Sequence, residues 1–377
     1  MIDAVVLGGG LAGGALATLL ARAGREVVLV EREAGPVDKV CGEFLSREAG
    51  LYLTSLGLDL PALGAVPIDA LRLCHAGGVA AVKLPFTAWS LSRRVLDEAL
   101  LGLAAAAGAT LRRGLRAQGL EPLAPGPGFR ARLDDGTTLD AGAAFLATGK
   151  HDLRGARRPP GLQSDLVAFK LHYRLAPRQT AELSRQVELV LFEGGYAGLS
   201  LVEEGRANLC LLVRRARLAA LGQRWEQLLA AMRAESVHLD GRLAGAEPCW
   251  PRPLALAAIP YGHVRRRSEG IWHLGDQAAV IPSFSGDGMS IALHSAELAA
   301  AVYLAGSPAD AFQRRLARDV TAQVLLATAL SHGLVRRPGQ AVLGAVARLL
   351  PGLMSTVASH TRVSDAALAR AGLEGSR

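Results

Sequence analysis

The chain has 377 residues, half of them apolar, and a formal net charge of +8, which excludes a disordered or fibrous protein and suits two domains or one elaborate α/β unit. The positive excess is arginine, since the only lysines are Lys39, Lys83, Lys150 and Lys170; without an aromatic-interleaved basic strand or zinc-finger spacing it argues against nucleic-acid binding and leaves acidic lipid or an acidic partner. Cys41, Cys74, Cys210 and Cys249 form no Cys-x-x-Cys pair, so a reduced, cytoplasmic protein without a metal or redox dithiol is expected.

The first element is an apolar strand, Ala4-Val5-Val6-Leu7, so no signal peptide is expected ahead of the fold. It runs into Gly8-x-Gly10-x-x-Gly13 and the helix-forming stretch from Ala15 to Leu20. A strand that turns on glycines and restarts as a helix leaves backbone N–H groups and the positive end of the helix dipole facing outward, a site for a nucleotide diphosphate. Leu11 and Ala12 belong to that turn. The second strand ends at Glu31, about 20 residues past the central glycine, where a carboxylate accepts both hydroxyls of an adenosine ribose. A 2′-phosphate would meet like charge there, so FAD or NAD fits better than NADP. Arg32 follows on the same cofactor side.

Residues 121–136, rich in Pro and Gly and ending in Asp134-Asp135-Gly136, read as loop and hairpin, and residues 150–161 as a linker. From Asp165 the period becomes two: Val167, Phe169, Leu171 and Tyr173 alternate with Ala168, Lys170, His172 and Arg174. Strand-like runs follow at residues 187–192, 196–202 and 208–213, the sheet of a substrate domain. Leu221, Trp225, Leu228, Leu229 and Met232 recur at helical spacing as core. Beyond residue 310 the chain reads as helices, and residues 341–354 are apolar nearly all round, able to cap a greasy tunnel or touch a membrane surface. No apolar run reaches the roughly 18 residues of a membrane span.

Four motifs in one order resemble the p-hydroxybenzoate-hydroxylase-like and geranylgeranyl-reductase-like flavoproteins, to which flavin-dependent halogenases are related. They are the glycine turn, the Arg93-x-x-Leu96-Asp97 element, the Ala144-Phe145-Leu146-Ala147-Thr148-Gly149 strand end, and Gly275-Asp276-x-Ala278 with Pro282, Gly286, Gly288 and Met289. The resemblance implies a Rossmann-like FAD-binding domain of the glutathione-reductase type, an inserted mainly antiparallel substrate sheet, and C-terminal helices. The expected bounds are residues 1–160 and 263–320 for the FAD-binding domain, 161–262 for the sheet domain and 321–377 for the helices. In that family the aspartate holds the ribityl chain, the proline and glycines run beside the flavin ring, and the arginine lies near the diphosphate. By resemblance these roles fall to Asp276, to Pro282, Gly286, Gly288 and Met289, and to Arg93, with Thr148 and Gly149 under the adenine half.

The loop from Lys39 to Ser46 stands where the family runs its chain along the flavin toward substrate, which places Cys41 and Gly42 at the ring and makes Glu43 a proton donor or acceptor if burial raises its pKa. His172 and Tyr196 are further catalytic candidates on the substrate strands. Many aromatic hydroxylases carry Asp-Gly where this chain has Thr148-Gly149, which argues against their direct reaction with NADPH. The first expectation is nevertheless an FAD monooxygenase acting on an apolar or aromatic molecule through a flavin C4a-hydroperoxide. NAD(P)H would bind transiently, or a partner reductase would supply electrons. The alternative is a geranylgeranyl-reductase-like enzyme saturating an isoprenoid or polyketide double bond; a non-catalytic flavin-binding factor is the third.

Overall fold

The computed structural model describes residues 1–75, 78–349 and 362–370. The strands Ile2–Leu7 and Val27–Glu31 are nearly continuous runs of buried apolar residues, the pattern of parallel strands covered on both faces. They pair in parallel, and Thr138–Leu146 joins the other side of the first. The sheet runs Thr110–Arg113, Val27–Glu31, Ile2–Leu7, Thr138–Leu146, Phe129–Leu133, Ala117–Pro122, and Trp272–His273 also pairs with Thr138–Leu146. The antiparallel pairing of Ala117–Pro122 with Phe129–Leu133 is the hairpin expected around residues 121–136.

Helix Leu11–Arg22 lies between this sheet and the helices Arg93–Ala106 and Gly288–Leu304. Its close seat depends on Gly13, where a Cβ would stand 1.8 Å from the Gly8 carbonyl oxygen. No side chain with a Cβ fits there without moving the strand.

The second sheet has nine strands: Glu247–Pro248, Leu166–Arg174, Ala207–Arg214, Gly195–Leu201, Gln186–Phe192, Val66–His75, Gly78–Ser90, Phe44–Leu45, with Leu254–Ala257 on the edge of Leu166–Arg174. The alternation read from residue 165 takes physical form here. Val167, Phe169, Leu171 and Tyr173 pack with the helical layer around Leu228 and Met232. Leu166 and Ala168, on the opposite face, pack with Val280 and Tyr261 toward the first sheet. Three strands of the second sheet come from residues 44–90, and Gln186–Phe192 pairs in parallel with Val66–His75 across that seam. The sheet is therefore built from two separated stretches of chain, and the early stretch carries the Lys39-to-Ser46 loop into its edge.

The helical spacing of residues 221–232 resolves into Arg215–Ala220, ending at Leu221, and Trp225–Glu235. Past residue 304 come Ala309–Leu334, Arg337–Leu349 and Asp365–Arg370. Pro338 sits in the first turn of its helix, where a missing N–H costs nothing. That helix lies on Val66–His75 and Gly78–Ser90, held by the Gln340 amide donating to the carbonyls of Phe192, Gly195 and Leu334. Residues 350–354 of the expected apolar helix lie outside the described residues. Among the described residues no helix is long and apolar enough to cross a membrane.

Candidate functional site

A groove opens between the two sheets. Its parallel-sheet wall starts with Gly10, Leu11 and Ala12 at the head of the first helix, and continues through Gly149, Asp276, Gly286, Gly288 and Met289. Neither helix start is capped by a side chain: Gly10 has none to offer, and Asp287 makes no cap bond. Among the described residues the buried Asp287 carboxyl has no hydrogen-bond partner, and burial pushes its pKa well above the ordinary range. A neutral acid there leaves the dipole of Gly288–Leu304 uncancelled. Gly286 takes a φ of +77° and a Cβ on it would reach within 2.6 Å of the Phe44 ring, so this turn closes on the facing loop only as glycine.

Arg93 stands against the glycine turn: a Cβ on Gly10 would come within 3.1 Å of its Nη2. Two hydrogen bonds to Asp97, 2.8 and 2.9 Å, hold the guanidinium. Burial opposes its charge, but Asp97 and Cys41 keep its pKa above the usual guanidinium value. For Asp97 burial acts upward, and Arg93 and Lys39 overcome it, holding the carboxyl below its ordinary range. Glu31 accepts from the Gly9 N–H at 2.6 Å and faces a second, smaller cleft shared with Lys39, Arg94 and Arg113. Asp276 lies 3.9 Å from Lys150, and its main-chain oxygen is fixed by Arg158 at 2.6 Å.

The facing wall is Cys41, Gly42, Glu43 and Phe44. Glu43 adopts a φ of +57°, a conformation that costs a β-carbon-bearing residue energy and persists only where its surroundings fix it. They do so on every side. Its main-chain oxygen accepts from Leu91 N–H and the Ser90 hydroxyl, both at 3.2 Å. One carboxylate oxygen accepts from the Arg93 N–H at 2.9 Å and from the Lys170 ammonium, and the other meets His172 Nε2 at 2.8 Å. Glu43, Lys170 and His172 are all fully buried.

Burial by itself would raise the Glu43 pKa, as the sequence suggested. The charge of Lys170, with the hydrogen bond and charge of His172, outweighs it and leaves the group below the ordinary carboxylate range. Glu43 is thus a carboxylate at neutral pH, not an acid tuned toward neutrality. Asp38, Glu43 and His172 offer donor atoms within 4.8 Å of one another, a spacing that could hold a metal ion, but the Lys170 ammonium already stands on Glu43 and 3.6 Å from Asp38. The protein neutralises this cluster with its own cation.

Other expected residues fall elsewhere. His172 acts on the groove only through Glu43. Tyr196, expected to be catalytic, is buried edge-on to Phe284 at 6.0 Å and does not line the groove. It stands on the same face of the sheet as Lys170, two residues nearer the apolar end, where Phe284 covers it. Arg32 is exposed and pairs with Glu33 at 2.9 Å, in neither cleft. Thr148 bonds the His151 carbonyl at 2.6 Å, and Pro282 begins the turn to Gly286. Gly8 and Gly13 lie beneath the turn rather than on the groove. Sequence reasoning did not single out Asp38, Lys170, Tyr261 or Lys150. One signal was available: in a chain with so few lysines, Lys170 interrupts an apolar strand, and a lysine there needs a buried partner.

An extended dinucleotide fits these residues: bare glycine backbone, two uncapped helix starts and a buried guanidinium suit its diphosphate, and Asp276 offers an acceptor to a polyol. Residues 1–121 match the family of FAD binding domains. The chain is 28% identical over 327 residues to the menaquinone reductase of Mycolicibacterium smegmatis, spanning 82% of this chain and 78% of that one. A geranylgeranyl bacteriochlorophyll reductase-like protein of Thermoplasma acidophilum shares the fold with a TM-score of 0.74 at 17% identity, over 98% of this chain and 95% of that one. PqsL of Pseudomonas aeruginosa, named a probable FAD-dependent monooxygenase, shares it with a TM-score of 0.71 at 19% identity, over 91% and 99%. Residues 1–121 thus form an FAD-binding domain, and the chain as a whole is similar in sequence to a menaquinone reductase and in fold to a geranylgeranyl reductase-like protein and a probable FAD-dependent monooxygenase.

Proposed function

We propose that the protein reduces a carbon–carbon double bond of an apolar, isoprenoid-like substrate, with NAD(P)H or a partner reductase as the source of electrons. The observation that carries this reading is Glu43 on the groove wall opposite the cofactor residues, its buried carboxylate bonded to the Lys170 ammonium and to His172. Saturating a double bond consumes one proton for each pair of electrons, and the proton must come from a group facing the substrate. Bound FAD supplies the electron-pair chemistry; the chain supplies everything else. The two helix starts and Arg93 hold the diphosphate and Asp276 the sugar chain. Gly286 and Met289 would border the ring, and the Cys41–Glu43 segment lines the facing wall with the Glu43 carboxylate closed within it. The likeness to a menaquinone reductase over most of both chains supports reduction over the oxygenation expected first from sequence.

The test is product mass. The holoprotein, given an electron donor and a panel of polyprenyl quinones and polyprenyl lipids without oxygen, is expected to yield products heavier by two hydrogens. Products that form only in air and carry one added oxygen atom would replace this reading with oxygenation.

A further inference from the structure

The reductive reading requires protons inside a closed wall, and the groups behind Glu43 form a path for them. Lys170 projects from Leu166–Arg174 opposite Cys210 on the next strand, two residues from His172, which stands opposite Asn208. Its ammonium bonds Glu43 on one side and lies 3.6 Å from Asp38 Oδ1 on the other. Asp38 is the outer end: its side chain is 17% exposed, whereas those of Lys170 and Glu43 are closed to solvent. Asp38 Oδ1 and His172 Nδ1 are buried without hydrogen-bond partners among the described residues, so both have capacity that the resting arrangement leaves unused. A swing of about 0.5 Å brings Asp38 and Lys170 into hydrogen-bond range.

We propose that Asp38, Lys170 and Glu43 form a proton path from solvent to the groove, in which Lys170 is the positioning residue that keeps Glu43 ionised at rest and refills it during turnover. The proposal rests on the reductive reading. As the double bond gains one hydrogen together with an electron pair from reduced FAD, the other carbon takes a proton from the Glu43 side; its new C–H bond forms from the electron pair released by the double bond. Glu43 passes on the proton that Lys170 gives it and returns to carboxylate. Lys170, briefly neutral, recovers its proton through Asp38 from water. The cluster ends each cycle with the charge it began with.

The surrounding charged and titratable groups are few. The loop contributes Asp38 and Cys41, the start of Arg93–Ala106 contributes Arg93, the end of the parallel sheet contributes Lys150, and the sheet contributes His172 and Cys210. Arg93 is engaged by Asp97, and Lys150 donates to the Val40 carbonyl at 3.2 Å. Burial pushes the Cys210 thiol up to about 12, which removes it as a donor to this path at neutral pH. Lys170 and His172 are thus the groups bonded to Glu43 that can release a proton, and of the two Lys170 is the one that also stands beside Asp38.

Four variants test the assignment by infrared spectroscopy and by turnover. Lys170→Met should produce a protonated-carboxyl infrared band at neutral pH that vanishes in the Lys170→Met/Glu43→Gln double variant, a measurement that needs no turnover. Lys170→Arg keeps the charge but cannot give up a proton, so it should show no such band, retain FAD, and still reduce substrate at least tenfold more slowly with an enlarged solvent deuterium isotope effect. Asp38→Asn, at the partly exposed end, should slow the same step several-fold and steepen its dependence on buffer concentration. Absence of the infrared band in Lys170→Met, or full turnover with an unchanged isotope effect in Lys170→Arg or Asp38→Asn, overturns the proton path. A wild type that saturates no substrate removes the reductive reading instead, while the infrared comparison still upholds or overturns the pairing of Lys170 with Glu43.

Discussion

The wall of the groove that rises from the parallel sheet presents peptide N–H groups at two uncapped helix starts, whereas the facing wall is backed by the buried carboxylate of Glu43 and the ammonium of Lys170. The first wall binds by what its side chains leave out, and its glycines are set by close approach. The second works through charges held out of water, where each group is tolerable only because the others are present. The difference teaches where each wall is fragile: the first to any added atom, the second to any removed charge.

The sharpest way to break the contrast is Gly13→Val. With a Cβ 1.8 Å from the Gly8 oxygen, the helix must lift from its strand, and the purified protein is expected to carry essentially no flavin and to melt at a much lower temperature. Bound yellow cofactor in this variant would show that the glycine turn does not set the cofactor wall. On the other side Glu43→Ala strands Lys170 in the interior and should cost about 3–5 kcal/mol by denaturant unfolding, whereas Glu43→Gln with Lys170→Met should recover most of it. Equal destabilisation by the single and double variants would mean that the wall is held by packing rather than by paired charge.

Acid should separate the walls by pH. His263 and His273, beside the parallel sheet, are pushed down by burial to about 4 and about 3 in the fold, from 6.5. The unfolded chain therefore binds more protons below pH 6.5, and stability should begin to fall there. Glu43 and Asp97 are held below their ordinary range in the fold, so their contribution is present above the unfolded carboxylate pKa and is lost only as pH falls through their lower folded values. Urea unfolding at stepped pH should show both phases, and a single loss beginning below pH 4 would contradict the histidine assignment. Asp276→Ala should weaken flavin retention by about 1.5–3 kcal/mol, the worth of one charged hydrogen bond, with the turn itself kept by Arg158 on the main-chain oxygen; equilibrium dialysis of flavin measures it. The smallest effect belongs to Tyr196→Phe, which should change turnover less than about twofold because the ring lies under Phe284 and off the groove.

The strand, glycine turn and helix at the amino terminus, Glu31, and the Gly275-to-Met289 segment could all be read in the sequence because each is local: one short stretch fixes both the backbone path and the chemistry it exposes. The alternating strand from residue 166 was equally legible, and so was the change of face between Phe169 and Lys170. What was not legible was the other half of that sheet. Residues 66–90 join it by a parallel seam with Gln186–Phe192, a pairing between stretches separated by the whole hairpin region of the first sheet.

That seam explains why the expectation for Glu43 failed in sign. Burial was foreseeable from its apolar surroundings, but the groups that decide its charge lie more than 120 positions away: Lys170 and His172 reach it because the sheet brings their strand against the loop. The sequence determined by itself that the protein would build a diphosphate cradle, since backbone conformation is set by neighbours along the chain. Only the tertiary structure decided which carboxylate is buried in the groove wall and in which charge state, because electrostatic energy depends on distance through space and on the exclusion of water.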